Sequence, residues 1–202
     1  MCPLKKNNIK HMKPHRIAVF ASGSGSNAEE IFTYFQYHPA IEVKLLLSNN
    51  AKAQALQRAE KFKVKTKTFD KAQFQESYEV LAWLKDEKIT HLVLAGFTWH
   101  IPEYLTHAYP GKIINIHPAL LPKFGGKGMY GIFVHEAVKA AGETETGITV
   151  HEVNENYDEG KIVFQATCSV EEADTPKSIA LKVQQLEHLH YAKVIERWVL
   201  KK

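Results

Sequence analysis

The feature that most constrains the fold is a short apolar run that stops abruptly at glycine and serine. Arg16 to Ala21 (RIAVFA) is continuously apolar after its first residue and rich in branched and aromatic side chains. A strand buried on both faces of a parallel sheet needs that composition. Ser22 to Ser26 (SGSGS) follows at once. Ala28 to Tyr37 then carries Ile31, Phe32 and Phe35 at helical spacing, with Asn27 placed as an N-cap. Strand, glycine loop and helix start together cradle an anion, because free backbone N–H groups and the helix dipole point into the loop.

The alternation continues along the chain. Ile41 to Ser48 reads as a second buried strand and Lys52 to Phe62 as a helix. Val64 to Phe69 is a short third strand, and its lysine–threonine alternation suits a sheet edge. Gln73 to Glu87 reads as one amphipathic helix with Phe74, Tyr78, Leu81 and Leu84 on one side. Leu92 to Ala95 is a fourth strand. It ends in Gly96-Phe97-Thr98-Trp99, an aromatic loop at the same sheet edge as the glycine loop if the strands run parallel. Pro102 opens a short helix. Lys112 to Ile116 is the fifth strand, and Gly131 to Ala141 a helix ended by Gly142. Thr146 to Val153 and Ile162 to Val170 alternate as strands around the polar loop Asn154 to Gly160, forming a late hairpin. Pro176 to Leu200 is a long amphipathic helix expected to pack back over it. The expected class is α/β. A mostly parallel twisted sheet is flanked by helices, with a Rossmann-type N-terminal half, a late antiparallel hairpin and a long C-terminal helix.

With 202 residues and neither repeat nor linker, residues 15–202 are expected to form a single domain. Residues 1–14 are expected to form a leader without a fold. Met12 is a candidate true start, which the N-terminal mass of protein from its source would decide. The formal charge of +4 owes part to Lys5, Lys6, Lys10, Lys13 and Arg16 in and beside this leader, so it is no nucleic-acid footprint. Cys2 and Cys168 imply no disulfide framework, and a reducing, cytoplasmic setting is expected. No apolar run reaches the ~18 residues of a membrane span, and the leader lacks the apolar core of a secretory signal. The expected partners are small molecules rather than nucleic acid or membrane. Oligomeric state is not legible.

Gly23 to Ala28 formally matches G-x-G-x-x-G/A after a strand. A dinucleotide site also needs an acid at the end of the second strand, but that strand ends Leu47-Ser48-Asn49, and Glu42 sits at its start. No Walker lysine follows. What remains is a phosphate-cradling loop without an adenosine half, or a glycine turn without a ligand.

A second stretch, Gly111 to Gly128 (GKIINIHPALLPKFGGKG), carries the polar cluster. Pro118 pushes His117 towards extended backbone, so the imidazole should stand at a strand end, aimed outward. Strand ends beside loops are where α/β proteins place chemistry. Asn115 lies two residues before it, and Asp158 lies in the later polar loop. Each has a bland alternative: a structural histidine, a loop amide, a turn carboxylate. Together they make chemical sense. An amide hydrogen-bonds an oxygen as negative charge develops. An imidazole does the same or shuttles protons. A carboxylate raises the histidine pKa and fixes its tautomer.

No metal site is expected. His188 and His190 are two apart on a helix, His135-Glu136 lacks a second histidine at i+4, and no cysteine stands at ligand spacing from a histidine. Without a G-x-S-x-G elbow or a cysteine near the cluster, covalent catalysis is disfavoured. Phe97, Trp99, Tyr104 and Tyr109 read as packing or as the wall of a pocket for a flat aromatic ligand. Glu187 by itself reads as a solvated helix charge, and Lys127 as a loop lysine or a contact to a phosphate or to an acidic tail.

The runs RIAVFASGSGSN, NIHPALLPKF (115–124), GITVHEVNENYDEGKIVFQ (147–165) and QQLEH (184–188) resemble the folate-dependent formyltransferases. N-I-H-P followed by an aspartate loop is specific to them, and the S-G-S-N loop is similar to that of the glycinamide ribonucleotide branch. The resemblance spans roughly Arg16 to Leu200. It implies transfer of a formyl group from 10-formyltetrahydrofolate to the amine of phosphoribosylglycinamide, by direct attack and without metal. It implies Asn115, His117 and Asp158 as the catalytic trio. Gly25, Ser26 and Asn27 would hold the ribotide phosphate, and Glu187 would contact the ribotide. Thr98, Trp99, His100 and Ile101, with Asn115 and the loop Val153, Asn154 to Asp158, would line the folate pocket. Many members carry Met-Arg after Ala-Gly-Phe where this chain has Thr98-Trp99. A formyltransferase acting on an amino sugar or an aminoacyl-tRNA is the near alternative. A non-catalytic phosphosugar- or nucleotide-binding domain is the distant one, and it leaves the trio without a task.

Overall fold

The computed structural model describes residues 14–201. The leader expected over 1–14, with Met12 and Cys2, therefore lies outside the described residues except for Pro14. The apolar runs become seven strands: β1 (His15–Phe20), β2 (Ile41–Ser48), β3 (Lys65–Thr68), β4 (His91–Leu94), β5 (Ile113–His117), β6 (Glu145–Glu152) and β7 (Ile162–Ser169). They pair in the order β3-β2-β1-β4-β5-β6-β7. β1 to β5 run parallel, and β6 and β7 join antiparallel as the expected hairpin. β3 is an edge strand exposed along its whole length, as its lysine–threonine pattern suggested.

The helices are α1 (Ser26–Phe35), α2 (Gln54–Lys61), α3 (Lys71–Gln75), α4 (Glu79–Asp86), α5 (Glu103–Ala108), α6 (Ile132–Ala140) and α7 (Pro176–Leu200). Alternate side chains of β1 feed two cores. Ile17 and Val19 pack with α1, α2, α6 and α7, while Ala18 and Phe20 pack with α3, α4 and α5. The long helix α7 starts at a capping box between Thr175 and Ser178, with Pro176 in its first turn. Tyr191, wholly buried in its middle, donates to the Leu94 carbonyl at 2.7 Å and ties α7 to the sheet. No described helix is long and apolar enough to cross a membrane.

Two expectations change. The single helix over Gln73 to Glu87 is broken into α3 and α4, with Tyr78 at φ 56° between them. The Ser77 hydroxyl donates to the Gln73 carbonyl and accepts from the Glu79 N–H, competing with the helical ladder at that point. The break lets Phe74 bury against Phe69 while Tyr78 turns its ring onto Tyr104. Asn27 is not the N-cap of α1 either. Gly25 takes that position with φ 72°, and no side chain caps the helix.

The chain order reverses direction at β1. Strands β2 and β3 are laid down to one side, and β4 onward to the other. A crevice opens outside the carboxyl ends of the strands at such a switch point. Here the Ser22 N–H reaches the Gly96 carbonyl at 3.1 Å across the β1–β4 exits.

Candidate functional site

A cleft of about 780 Å³ occupies that crevice, and most of the residues singled out for a site line it: Gly25, Ser26 and Asn27; Thr98 to Ile101; Asn115 and His117; Val153, Asn154 and Asp158; and Glu187. The sheet brings the two sequence stretches together, because the glycine loop leaves β1 and the N-I-H-P segment ends β5, with β4 between them.

The glycine loop forms one wall. Gly25 has two reasons to be glycine: its φ is positive, and an added Cβ would overlap Ala55 at the start of α2. The loop is held from behind, where Ala55 donates to the Gly23 carbonyl and Arg58 donates to the Ser24 carbonyl at 2.9 Å. Arg58 is itself paired with Glu29. With no capping side chain, the first turn of α1 presents its N–H groups to the cleft. Asn27 turns towards α7 instead, where its Nδ2 donates to Glu187 Oε2 at 2.9 Å. Its Oδ1 is buried without a partner. Gln184 reaches Ser26 Oγ at 3.2 Å. Glu187 is therefore not a solvated helix charge. Burial pushes its carboxyl up to about 7, against the lowering effect of the Asn27 amide.

Aromatic packing forms the opposite wall. Phe97 and Trp99 line the cleft, and both lean on a cluster with Phe69 and Phe74. Trp99, standing where an arginine is frequent in the resembling family, is thus anchored by ring contacts. Tyr104 and Tyr109 do not line the cleft and bond backbone carbonyls, so their role is packing. Thr98 hydrogen-bonds the Ser22 hydroxyl through its own hydroxyl and N–H, and His100 meets the Glu155 carbonyl at 3.1 Å.

The polar cluster sits between the walls. His117 ends β5 as expected, but it is not aimed outward; it is 3% exposed. The loop after Pro118 folds back over it, because Thr149 and Gln165 on the late hairpin hold the backbone of Ala119 and Leu121. The His117 ring donates from Nε2 to the Phe124 carbonyl at 2.8 Å, and its Nδ1 stands 3.6 Å from Asp158 Oδ2. Burial lowers the His117 pKa, and the Asp158 charge and the Phe124 carbonyl offset only part of that. Asp158, at φ 56° in its loop, accepts from the Gly126 N–H at 2.9 Å. Burial raises its carboxyl, but the polar neighbours His151, His117 and Gly126 outweigh it and hold the group below the usual range.

Two further histidines enter the cleft that sequence reasoning missed as site residues. His151, 2% exposed, lies directly across the β5–β6 pair from Asn115. His135, on α6, is buried with its Nδ1 unpartnered. For His151 the signal lay in the strand alternation of 146–153, but only the β5–β6 register places it opposite Asn115. Among the described residues, no group of three or more His, Cys, Asp or Glu side chains is arranged to hold a metal ion.

The chain is similar to known proteins of one family. The model of the formyl transferase family matches residues 15–195. The chloroplastic phosphoribosylglycinamide formyltransferase of Arabidopsis thaliana is 38% identical over 186 residues, covering 89% of this chain and 64% of that protein. The phosphoribosylglycinamide formyltransferase of Bacillus subtilis (strain 168) is 36% identical over 189 residues, covering 90% of this chain and 93% of its own length. The crystal structure of phosphoribosylglycinamide formyltransferase from Anaplasma phagocytophilum superposes with a TM-score of 0.85 at 31% identity, covering 94% and 89% of the two chains. The chain thus spans a little under two thirds of the plant relative and nearly all of the Bacillus one. On the match over residues 15–195, the chain belongs to the formyl transferase family.

Proposed function

We propose that this protein transfers a formyl group from 10-formyltetrahydrofolate to the primary amine of 5-phosphoribosylglycinamide. The observation that carries the reading is one cleft lined by an uncapped helix N-terminus, an aromatic wall and, between them, Asn115, His117 and Asp158. The names of the relatives point to the same acceptor.

The formyl donor supplies a carbonyl carbon attached to a tetrahydrofolate nitrogen, and the residues of this chain do the rest. The first-turn N–H groups of α1, at Ser26 and Asn27, bind the ribotide phosphate. Glu187 and Asn27 face the ribose side. Phe97, Trp99, Ile101 and Val153 offer apolar surface for a flat ring, and Thr98, His100 and Asn154 offer polar contacts at its rim. The Asn115 amide donates to the formyl oxygen as negative charge grows there. His117 has its Nε2–H committed to a carbonyl, so Nδ1 takes the proton that leaves the attacking amine. Asp158 stabilises the imidazolium so formed, and the imidazolium returns the proton to the tetrahydrofolate nitrogen as the bond between that nitrogen and the formyl carbon breaks. A buried, lowered histidine beside an ionised carboxylate is suited to this, being neutral at rest and stabilised when protonated.

The direct test is a formyl-transfer assay on the purified chain with the ribotide and 10-formyltetrahydrofolate. Turnover that falls roughly 10²- to 10³-fold in Asn115→Ala and in His117→Ala supports the reading. Binding of both compounds without turnover by the unaltered chain would sink it.

A further inference from the structure

His151 belongs to none of the groups used so far, yet its geometry links several of them. Its ring is almost wholly buried, and its Nδ1 lies 2.9 Å from the Glu152 carbonyl. A carbonyl only accepts, so Nδ1 carries the hydrogen. In the neutral ring Nε2 is then a bare acceptor, 3.1 Å from Asn115 Nδ2. The nearest Asp158 oxygen is farther, at 3.5 Å, and meets an N–H only when the ring is protonated, the form in which His151 draws the Asp158 pKa down.

The partner that sets the tautomer is itself fixed. Gly160 packs so closely on Glu152 that any Cβ there would overlap its carbonyl. The Glu152 N–H also donates to the Lys161 carbonyl at 2.9 Å. Backbone therefore fixes the carbonyl, the carbonyl fixes the ring, and the ring decides which end of the Asn115 carboxamide faces it. A bare nitrogen takes the amide N–H. Asn115 is the half-exposed end of this chain of contacts and lines the cleft.

We infer that His151 is a positioning residue. It holds one N–H of Asn115 Nδ2, and this keeps the second N–H available to the cleft as a donor of fixed direction. A carboxamide free to turn would present its carbonyl oxygen as readily as its nitrogen, and that oxygen would oppose negative charge growing on a substrate oxygen. Preorganised donors stabilise such charge because they need no reorientation during the reaction. The inference rests on Asn115 acting in formyl transfer.

The experiment uses the full chain. His151→Leu removes the acceptor, and His151→Gln offers a carbonyl oxygen in its place. Loss of a whole oxyanion donor costs roughly 10²- to 10³-fold in kcat. A donor left in place but unaligned is expected to cost a part of that, roughly 10- to 100-fold, with KM for both substrates nearly unchanged and His151→Gln recovering most of the rate. A double-mutant cycle supplies the readout that a purely structural role would not move. Once Asn115→Ala has removed the donor, adding His151→Leu should lower kcat no further. Unchanged kcat in His151→Leu, or additive losses in the cycle, overturns the positioning role. If His151→Leu does not fold, His151→Phe, which keeps a flat ring but has no acceptor, decides in the same cycle by the same criterion. An unaltered chain without turnover overturns the formyl-transfer reading and this inference with it; an active chain with an additive cycle overturns this inference alone.

Discussion

At the scale of single residues, burial decides charge. His117 and Asp158 face each other at 3.6 Å with both pKa values lowered, the imidazole by desolvation and the carboxyl by polar neighbours that outweigh its desolvation. Asp158→Asn removes the charge that offsets the burial of His117, so the His117 pKa falls further. Activity is expected to drop roughly 10²-fold, as loss of support for a general base does. The acid limb of the kcat/KM profile should move to lower pH, which a pH–rate series reads directly. Glu187 behaves in the reverse sense. Its folded pKa of about 7 lies above the ordinary carboxyl range, so the folded state holds its proton while the unfolded chain ionises. Stability contributed through this group is complete at low pH, is lost as pH rises from the ordinary carboxyl range to about 7, and changes no further above that. Glu187→Gln removes the penalty and can also donate to the orphaned Asn27 Oδ1. Thermal melting at pH 8 should show a gain on the order of 2 kcal/mol, with little change at pH 5.

At the scale of elements, the strand–glycine loop–helix unit carries the proposed anion site, and the glycine at position 25 follows from the packing of α2 beneath it. Gly25→Ala would force a positive φ on a residue with a Cβ and press that Cβ into Ala55. The strained backbone costs about 1–2 kcal/mol, and the overlap adds to it. Denaturant unfolding should show that loss, and calorimetry with the ribotide should show weakened phosphate binding, because the same residue caps the helix that would receive it. This unit was legible from RIAVFASGSGSN alone, since buried-strand composition and glycine loops have local causes. The helix over 73–87 was misread for the same reason. Its apolar spacing is helical, but Ser77 bonding and the burial of Phe74 under Phe69 act across the break, and periodicity does not register them.

At the scale of the whole molecule, α7 is the element that closes the fold. It packs against α1, α6 and the late hairpin, and it carries Glu187 and Gln184 to the glycine loop. Tyr191 is its anchor. Tyr191→Phe strips the donor from the Leu94 carbonyl and is expected to cost about 1–3 kcal/mol in chemical denaturation, the range for leaving a buried polar group unpaired. The family resemblance implied that Asn115, His117 and Asp158 belong to one cluster, and the sequence by itself determined the alternation of buried strands and helices and the glycine loop before α1. These follow from composition, local backbone preference and motif, which act over a few residues. Only the tertiary structure decided that His117 is buried rather than outward, that Glu187 is an uncommonly basic carboxyl, that Trp99 leans on Phe69 and Phe74, and that His151 stands across from Asn115. Each of those depends on the strand order, the β5–β6 register or the seating of α7, and long-range pairing leaves no periodic mark on either partner's own stretch of chain.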